Sequence, residues 1–275
     1  MILASTVEEL RASLASEPAF ALVPTMGNLH AGHLSLVKQA KRTGRPVAVS
    51  IFVNPLQFGA GEDFDRYPRT LDADMALLKG EADLIFAPST QEIYPVPQQF
   101  CVVPPDELAN DLCGAFRPGH FRGVATVVLK LFNLVQPAVA VFGRKDYQQL
   151  AVIRQMTRQL NLRIEIIGGE TVRAEDGLAL SSRNDYLSAQ ERQEAPQLFQ
   201  TLVQLRAQLE RGNRDFASLE SAGCRLLSAL NWGVDYVAIR RPDLSPPQVS
   251  DTRFVILGAA HLGPTRLIDN LDVGL

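Results

Sequence analysis

The segment Val23-Pro24-Thr25-Met26-Gly27-Asn28-Leu29-His30-Ala31-Gly32-His33-Leu34 constrains the fold of this chain more than any other. The apolar run 20–23 before it reads as a strand. Pro24 and Gly27 break the extended pattern, and from His33 onward Leu34, Leu36, Val37 and Ala40 fall at helical spacing toward Arg42. A strand, a loop and a helix in that order put His30 and His33 at a helix entrance. Main-chain N–H groups lack intrahelical partners there, and the helix dipole adds a partial positive charge of ~0.5. An anion such as a nucleotide phosphate suits that position, and two imidazoles three residues apart add donors on the same side.

Three other readings compete for this segment. Gly27 and Gly32 enclose four residues, the glycine spacing of a P-loop, but His33 and Leu34 stand where its lysine and its Ser or Thr belong. A zinc site would need at least one more protein ligand, and the remaining histidines, His120 and His261, carry no spacing signature. Either histidine could also simply cap or pack at the strand–helix junction. The pair with Gly32 between them tips the reading toward phosphate contact.

Along the rest of the chain, apolar runs alternate with helical periodicity. Strands are expected at 47–53, 82–87, 100–103, 138–142 and 162–167, the last stopped by Gly168 and Gly169. Helices are expected at 7–14, 70–79, 124–135 and 147–160. Repeated strand–helix alternation predicts an α/β fold, a doubly wound, Rossmann-like parallel sheet over residues 1–171. Beyond Thr171 the texture changes to helices at 188–211 and 216–230 and short strands at 234–239, 253–257 and 266–269, a smaller α+β domain over 172–275.

In a parallel sheet, ligands lie beyond the carboxyl ends of the strands. The segments 27–33, 54–57 and 143–149 each follow a predicted strand, so distant parts of the sequence are expected to meet at one edge. Among them, Lys145 reads either as a solvated lysine or as a phosphate contact. Gly143 ahead of it allows close backbone approach. Asp146 is equally an N-cap for the helix that starts near Tyr147. Gln57 and Gln149 are neutral amides, suited to a hydroxy acid whose carboxylate must stay a nucleophile, or else surface glutamines. The loop 117–123, with Arg117 and His120, either lines the site or caps the next helix. At the domain boundary, Ser181, Ser182 and Arg183 offer hydroxyls and a planar donor fork to phosphate oxygens, in a loop able to close over a nucleotide; taken alone they equally form a capping turn.

Composition narrows the class. The 275 residues are 46% hydrophobic, with formal net charge −3 and scattered basic residues, so a buried core is expected and a nucleic-acid or membrane-surface footprint is not. The odd set Cys101, Cys113 and Cys224 has no CxxC spacing, which predicts reduced thiols. Without a signal-peptide pattern or a bilayer-length apolar run, the expectation is a cytoplasmic enzyme.

The segment His30-Ala31-Gly32-His33 after Pro24-Thr25-Met26-Gly27 resembles the HxGH signature of nucleotidylyltransferases and class I aminoacyl-tRNA synthetases. With Phe52-Val53-Asn54-Pro55-Leu56-Gln57-Phe58, Phe142-Gly143-Arg144-Lys145-Asp146-Tyr147-Gln148-Gln149-Leu150 and Leu180-Ser181-Ser182-Arg183-Asn184, the sequence resembles the pantothenate synthetase (pantoate–β-alanine ligase) family over nearly its whole length. That resemblance implies an ATP-dependent ligase joining pantoate to β-alanine through a pantoyl-adenylate, releasing AMP and pyrophosphate. It implies an ATP site at Met26, Gly27, Asn28, Leu29, His30, Ala31, Gly32, His33, Gly143, Arg144, Lys145, Asp146, Val172, Leu180, Ser181, Ser182 and Arg183. Within that site Asp146 would meet the ribose hydroxyls and His33 would take the position of a proton donor. Together with His30, His33, Lys145 and Arg183 are the catalytic candidates. It further implies pantoate against Gln57 and Gln149, β-alanine near Asn54 and Tyr67, magnesium with the ATP but no assignable protein ligand, and a homodimer. Leu180 departs from the methionine common at that position, keeping an apolar side chain. The rivals are a nucleotidylyltransferase acting on a phosphorylated small molecule, for which basic residues would be expected in place of Gln57 and Gln149, and a nucleotide-binding regulatory module without chemistry.

Overall fold

Apolar runs too short for helices become the strands of one parallel sheet. The computed structural model of the chain describes residues 1–15 and 19–275. Its strands are β1 (Ile2–Ala4), β2 (Ala21–Thr25), β3 (Val47–Ile51), β4 (Leu84–Phe86), β5 (Val139–Gly143) and β6 (Glu165–Gly169), in the spatial order β1-β4-β3-β2-β5-β6. Every pairing is parallel. In β2, β3 and β4, consecutive rather than alternate residues are buried, as a sheet covered on both faces requires.

The connecting helices are α1 (Val7–Leu14), α2 (Ala31–Lys41) and α3 (Leu71–Leu78), the single turns α4 (Thr90–Ile93), α5 (Asp106–Ala109) and α6 (Cys113–Phe116), then α7 (His120–Val135) and α8 (Tyr147–Gln159). Leu36, Val37 and Ala40 of α2 pack on Ala21, Val23, Val47, Val49, Val139 and Val141. Full burial of such aliphatic side chains stabilises by about 1.5–3 kcal/mol each.

Strand order reverses at β2: the chain runs β2-β3-β4 to one side and β5-β6 to the other. β2 pairs with β3 from Ala21↔Val47 to Thr25↔Ile51, but with β5 only at Ala21↔Val139 and Leu22↔Ala140. Pro24 has no N–H to give a ladder, and the β2–β5 pairing ends before it. The sheet therefore opens at the topological switch point, where ligands of such folds bind.

The chain divides into two units, Met1–Arg144 with Val152–Glu170, and Lys145–Ala151 with Thr171–Leu275. The second holds α9 (Ala189–Glu194), α10 (Gln197–Glu210), α11 (Phe216–Ala229) and an antiparallel sheet in the order β7-β8-β9, formed by β7 (Gly233–Arg240), β8 (Arg253–Leu262) and β9 (Thr265–Gly274). Its core joins Leu198, Leu202 and Leu205 of α10 and Leu219 and Leu227 of α11 to Ile239, Phe254 and Ile256.

Several elements depart from the sequence reading. The run 100–103 forms no strand: Phe100 is 90% exposed, and the Val102 N–H donates to Thr126 Oγ1 at 3.0 Å instead of to a neighbouring strand. β6 runs through Gly168 and Gly169 rather than stopping at them. A Cβ on Gly169 would lie 2.2 Å from a methyl of Leu36, so glycine there serves the close approach of α2. The helix expected at 188–211 is two, because Pro196 supplies no N–H between α9 and α10. β1 has no counterpart in the sequence reading, and β8 and β9 are longer than expected because they pair without interruption from Leu262↔Thr265 to Arg253↔Gly274.

Candidate active site

The loop after β2 is held by geometry that only part of its sequence advertises. Gly27 has φ +82° and Asn28 φ 49°, two successive left-handed residues, and at Gly27 a Cβ would sit 3.1 Å from both Asp74 Oδ2 and Ile51 Cγ2. This turn aims two main-chain donors at one buried carboxylate. Asn28 N–H donates to Asp74 Oδ2 at 3.1 Å and Leu29 N–H to Oδ1 at 2.8 Å, while the Thr70 hydroxyl lies 3.3 Å from Oδ1. Asp74, on α3, is 1% exposed.

The helix entrance that follows is capped by the histidines themselves. His30 is the N-cap of α2, and its Nδ1 accepts the Gly32 N–H at 3.1 Å; His33 returns the bond, its Nδ1 accepting the His30 N–H at 3.3 Å. The rings lie 4.1 Å apart, tilted by 43°. This is a capping box built from two imidazoles. A nitrogen that accepts a main-chain N–H carries no proton, so each neutral ring bears its proton on Nε2. The structure thus realises the capping reading of both histidines and makes each ring a donor at Nε2.

After β3, Asn54 caps the turn Pro55–Gln57 and is 1% exposed. Its Nδ2 donates to Gln57 Oε1 at 3.1 Å and to the Gly123 carbonyl at 3.2 Å, and its Oδ1 accepts from the Tyr94 hydroxyl at 2.8 Å and from Leu56 N–H at 3.4 Å. Asn54 therefore orients Gln57, whose Nε2 lies 3.0 Å from the Met26 sulfur. Burial, with Cys101 nearby, pushes the Tyr94 phenol far above its ordinary pKa, so the hydroxyl stays protonated and donating. Tyr94→Phe should cost about 1 kcal/mol in urea unfolding, and no alkaline limb of a pH–rate profile should trace to this group.

Arg117 and His120 prove to be braces for the same turn. Arg117 pairs with both oxygens of Glu62 and reaches the Gln57 carbonyl at 3.3 Å, and His120 Nδ1 lies 2.8 Å from that carbonyl. α7 presses close enough that a Cβ on Gly123 would lie 2.0 Å from the Leu56 carbonyl oxygen. Gly123→Ala should displace the turn and lower stability by about 1–3 kcal/mol, read as a drop in Tm. Tyr67, 6% exposed, packs edge-on to Phe58 at 6.0 Å beside this turn.

In the sheet unit, then, residues 26–33 and 54–57 and the end of β5 at Gly143 share the carboxyl edge of the strands. Arg144 opens the turn Arg144–Asp146 that runs directly into α8, and pairs with Glu170 at 3.0 Å. Lys145, Asp146 and Gln149 belong to the second unit and are partly buried. There Val172 and Leu180 close a hairpin, Leu180 N–H donating to the Val172 carbonyl at 2.9 Å. Ser181 caps the turn Ser182–Tyr186, its hydroxyl oxygen accepting the Arg183 N–H at 3.3 Å, and Ser182 is buried. Asn184 donates to the Ala179 carbonyl at 3.1 Å.

Sequence reasoning missed Asp74, Tyr94, Glu62, Asp269 and Asn270. Their importance lies in burial and in partners far along the chain, which no local motif announces. Among the described residues, no three His, Cys, Asp or Glu side chains gather as a metal site. Both Asp74 oxygens already accept main-chain N–H groups, at 3.1 and 2.8 Å.

Comparison with known proteins shows the family of this chain. The pantothenate synthetase of Thiobacillus denitrificans is 61% identical over 270 residues, covering 98% of this chain and 95% of its own. The crystal structure of pantothenate synthetase from Thermus thermophilus matches with a TM-score of 0.95 at 48% identity over 100% of both chains. That of a pantoate–β-alanine ligase from Francisella tularensis, complexed with β,γ ATP and β-alanine, matches with a TM-score of 0.81 at 34% identity over 98% of this chain and 97% of that one. A family profile described as pantoate-beta-alanine ligase spans residues 2–272, from the first strand of the parallel sheet to the last strand of the second unit, and the chain belongs to that family.

Proposed function

We propose that the protein condenses pantoate with β-alanine in an ATP-dependent reaction, releasing AMP and pyrophosphate through a pantoyl-adenylate. The observation that carries this reading is the helix entrance capped by two histidines at the switch point of the sheet. A carboxylate resists attack by an amine until one of its oxygens becomes a good leaving group. Attack of the pantoate carboxylate on the α-phosphorus expels pyrophosphate and makes that oxygen part of an adenylate. The β-alanine amine then attacks the acyl carbon, and AMP leaves with the bridging oxygen.

The protein's task is positioning and charge stabilisation. Nε2–H of His30 and His33 and the dipole of α2 face charge developing on the phosphates, with His33 as the donor at the reacting centre. Lys145, Ser181, Ser182 and Arg183 supply further donors, and Met26, Gly27, Asn28, Leu29, Ala31, Gly32, Gly143, Arg144, Val172 and Leu180 complete the nucleotide contacts. Asp146 meets the ribose hydroxyls. Gln57 and Gln149 hold pantoate, with Asn54 locking the Gln57 amide. Tyr67 and Asn54 stand toward β-alanine, the latter through its neighbours, since its own polar atoms are engaged. The smaller domain, 172–275, closes over the nucleotide. Magnesium arrives with the ATP phosphates, and no protein ligand is assigned to it. A homodimer in the cytoplasm completes the reading; Cys101, Cys113 and Cys224 stand as thiols, which suits a reducing compartment. Among the described residues, no helix is long and apolar enough to cross a membrane.

The test is an assay of the purified protein with ATP, pantoate and β-alanine. AMP and pantothenate should appear together, and only when both acid and amine are present. A nucleotidylyltransferase would keep the nucleoside monophosphate on its product, and a regulatory module would turn over nothing. Gln149→Ala should raise the KM for pantoate by more than that for ATP; equal losses for both would remove Gln149 from the acid site.

A further inference from the structure

We propose that Asp269 and Asn270 of β9 are positioning residues for adenylation, holding Lys145 and the 172–183 segment in register with each other. This rests on the reading of Lys145 and Arg183 as phosphate contacts. The two are consecutive polar residues on a strand, 5% and 7% exposed, at the edge of the unit's apolar core. Each reaches a segment that carries a proposed phosphate donor.

Asp269 takes both terminal nitrogens of Arg173, at 2.6 and 2.8 Å. Arg173 also donates to the carbonyls of Gly177 at 3.0 Å and Asn270 at 3.3 Å, and its guanidinium lies 3.8 Å over the Phe199 ring. Arg173 pairs with Ala179 across the small hairpin, closed by the Ala174 N–H to the Leu178 carbonyl and by the Leu180 N–H to that of Val172, that leads directly into Ser181. Asn270 uses its other end: Nδ2 donates to the Lys145 carbonyl at 2.8 Å. β9 also lies against the Ser182–Tyr186 turn. One dipeptide thus fixes the backbone that bears Lys145 and the hairpin that presents Arg183.

Stability alone does not account for this arrangement. A buried ion pair recovers little more than its own desolvation, and apolar residues of similar volume commonly stabilise as well or better. What a fully satisfied buried network adds is a unique geometry. Phosphate donors on two separate segments need that, because a displacement of about 1 Å at a reacting centre can cost on the order of 10²-fold in rate.

The test is a pair of double-mutant cycles on the adenylation rate, followed as pyrophosphate release with ATP and pantoate. Asn270→Ala should slow adenylation about tenfold in the otherwise unchanged protein and less than about twofold when Lys145 is already alanine. Asp269→Asn should behave in the same way toward Arg183→Ala. Arg173→Lys, which keeps the charge but loses the fork, carries that second cycle should Asp269→Asn not fold. A purely structural role would lower Tm while leaving the rate unchanged, or would give losses that multiply in every background, and either result overturns the inference. If Lys145→Ala and Arg183→Ala react at the unmodified rate, the phosphate-contact reading falls and this inference with it. If they are slow and the cycles show no coupling, only this inference falls.

Discussion

Lys145→Ala is expected to slow adenylation of pantoate by ~10²–10³ while the protein stays folded, because on the proposed reading it removes a charged donor at the phosphate where negative charge grows. Its position supports the size of the effect. Lys145 sits in the turn between β5 and α8, partly buried, with its own carbonyl tied to Asn270, so the segment bearing the ammonium is not free to wander. Circular dichroism should show an unchanged fold and a Tm close to that of the parent, since the bond that anchors this turn to Asn270 is made by the main-chain carbonyl and survives the truncation. A rate within about twofold of the parent would return Lys145 to the solvated surface. Truncation of Arg144, one residue earlier, should cost little stability, because its partly exposed ion pair with Glu170 contributes ~0–1 kcal/mol.

Asp74→Ala is expected to give the largest loss of stability of any substitution considered, about 2–6 kcal/mol. It strands two buried main-chain donors, those of Asn28 and Leu29, at roughly 1–3 kcal/mol each. Urea unfolding measures the loss, and titration with ATP should show weakened binding in whatever fraction remains folded, because residues 27–29 set the entry angle of α2. Asp74→Asn should fall between the two, since its amide nitrogen can no longer accept one of the two N–H groups. A cost below about 0.5 kcal/mol for Asp74→Ala would mean that Gly27 and Asn28 hold the loop through backbone conformation alone.

The sheet was legible because buried parallel strands write themselves as short, nearly continuous apolar runs, whereas the strand order that puts the switch point at β2 emerged only from the pairings. Val47 to Ile51 needed no tertiary information to be placed. The helix entrance was legible for a related reason: Pro24, Gly27 and Gly32 punctuate the chain where its periodicity changes. Phe100 to Val103 misled because an apolar β-prone run carries no record of whether a sheet edge is free to receive it, and here Phe100 is left in solvent. Gly168 and Gly169 misled in the opposite sense, since local reading hears a break where the structure needs room for Leu36. The proposed donor residues stood out as motifs, whereas the residues that hold their segments did not. Asp74 looks like any acidic residue in the first turn of a helix, and Asp269 and Asn270 look like the end of a strand. Their roles come from partners 46, 96 and 125 positions away.

On the proposed mechanism, the acid is activated as an adenylate in the site at the entrance of α2, before the amine takes part. Pantoate labelled with oxygen-18 in its carboxylate, incubated with ATP and the enzyme, should give pyrophosphate and a bound pantoyl-adenylate with no β-alanine present. Once β-alanine is added, one labelled oxygen should appear in AMP. Label in inorganic phosphate, with ADP as the nucleotide product, would mean an acyl-phosphate intermediate and would contradict the mechanism.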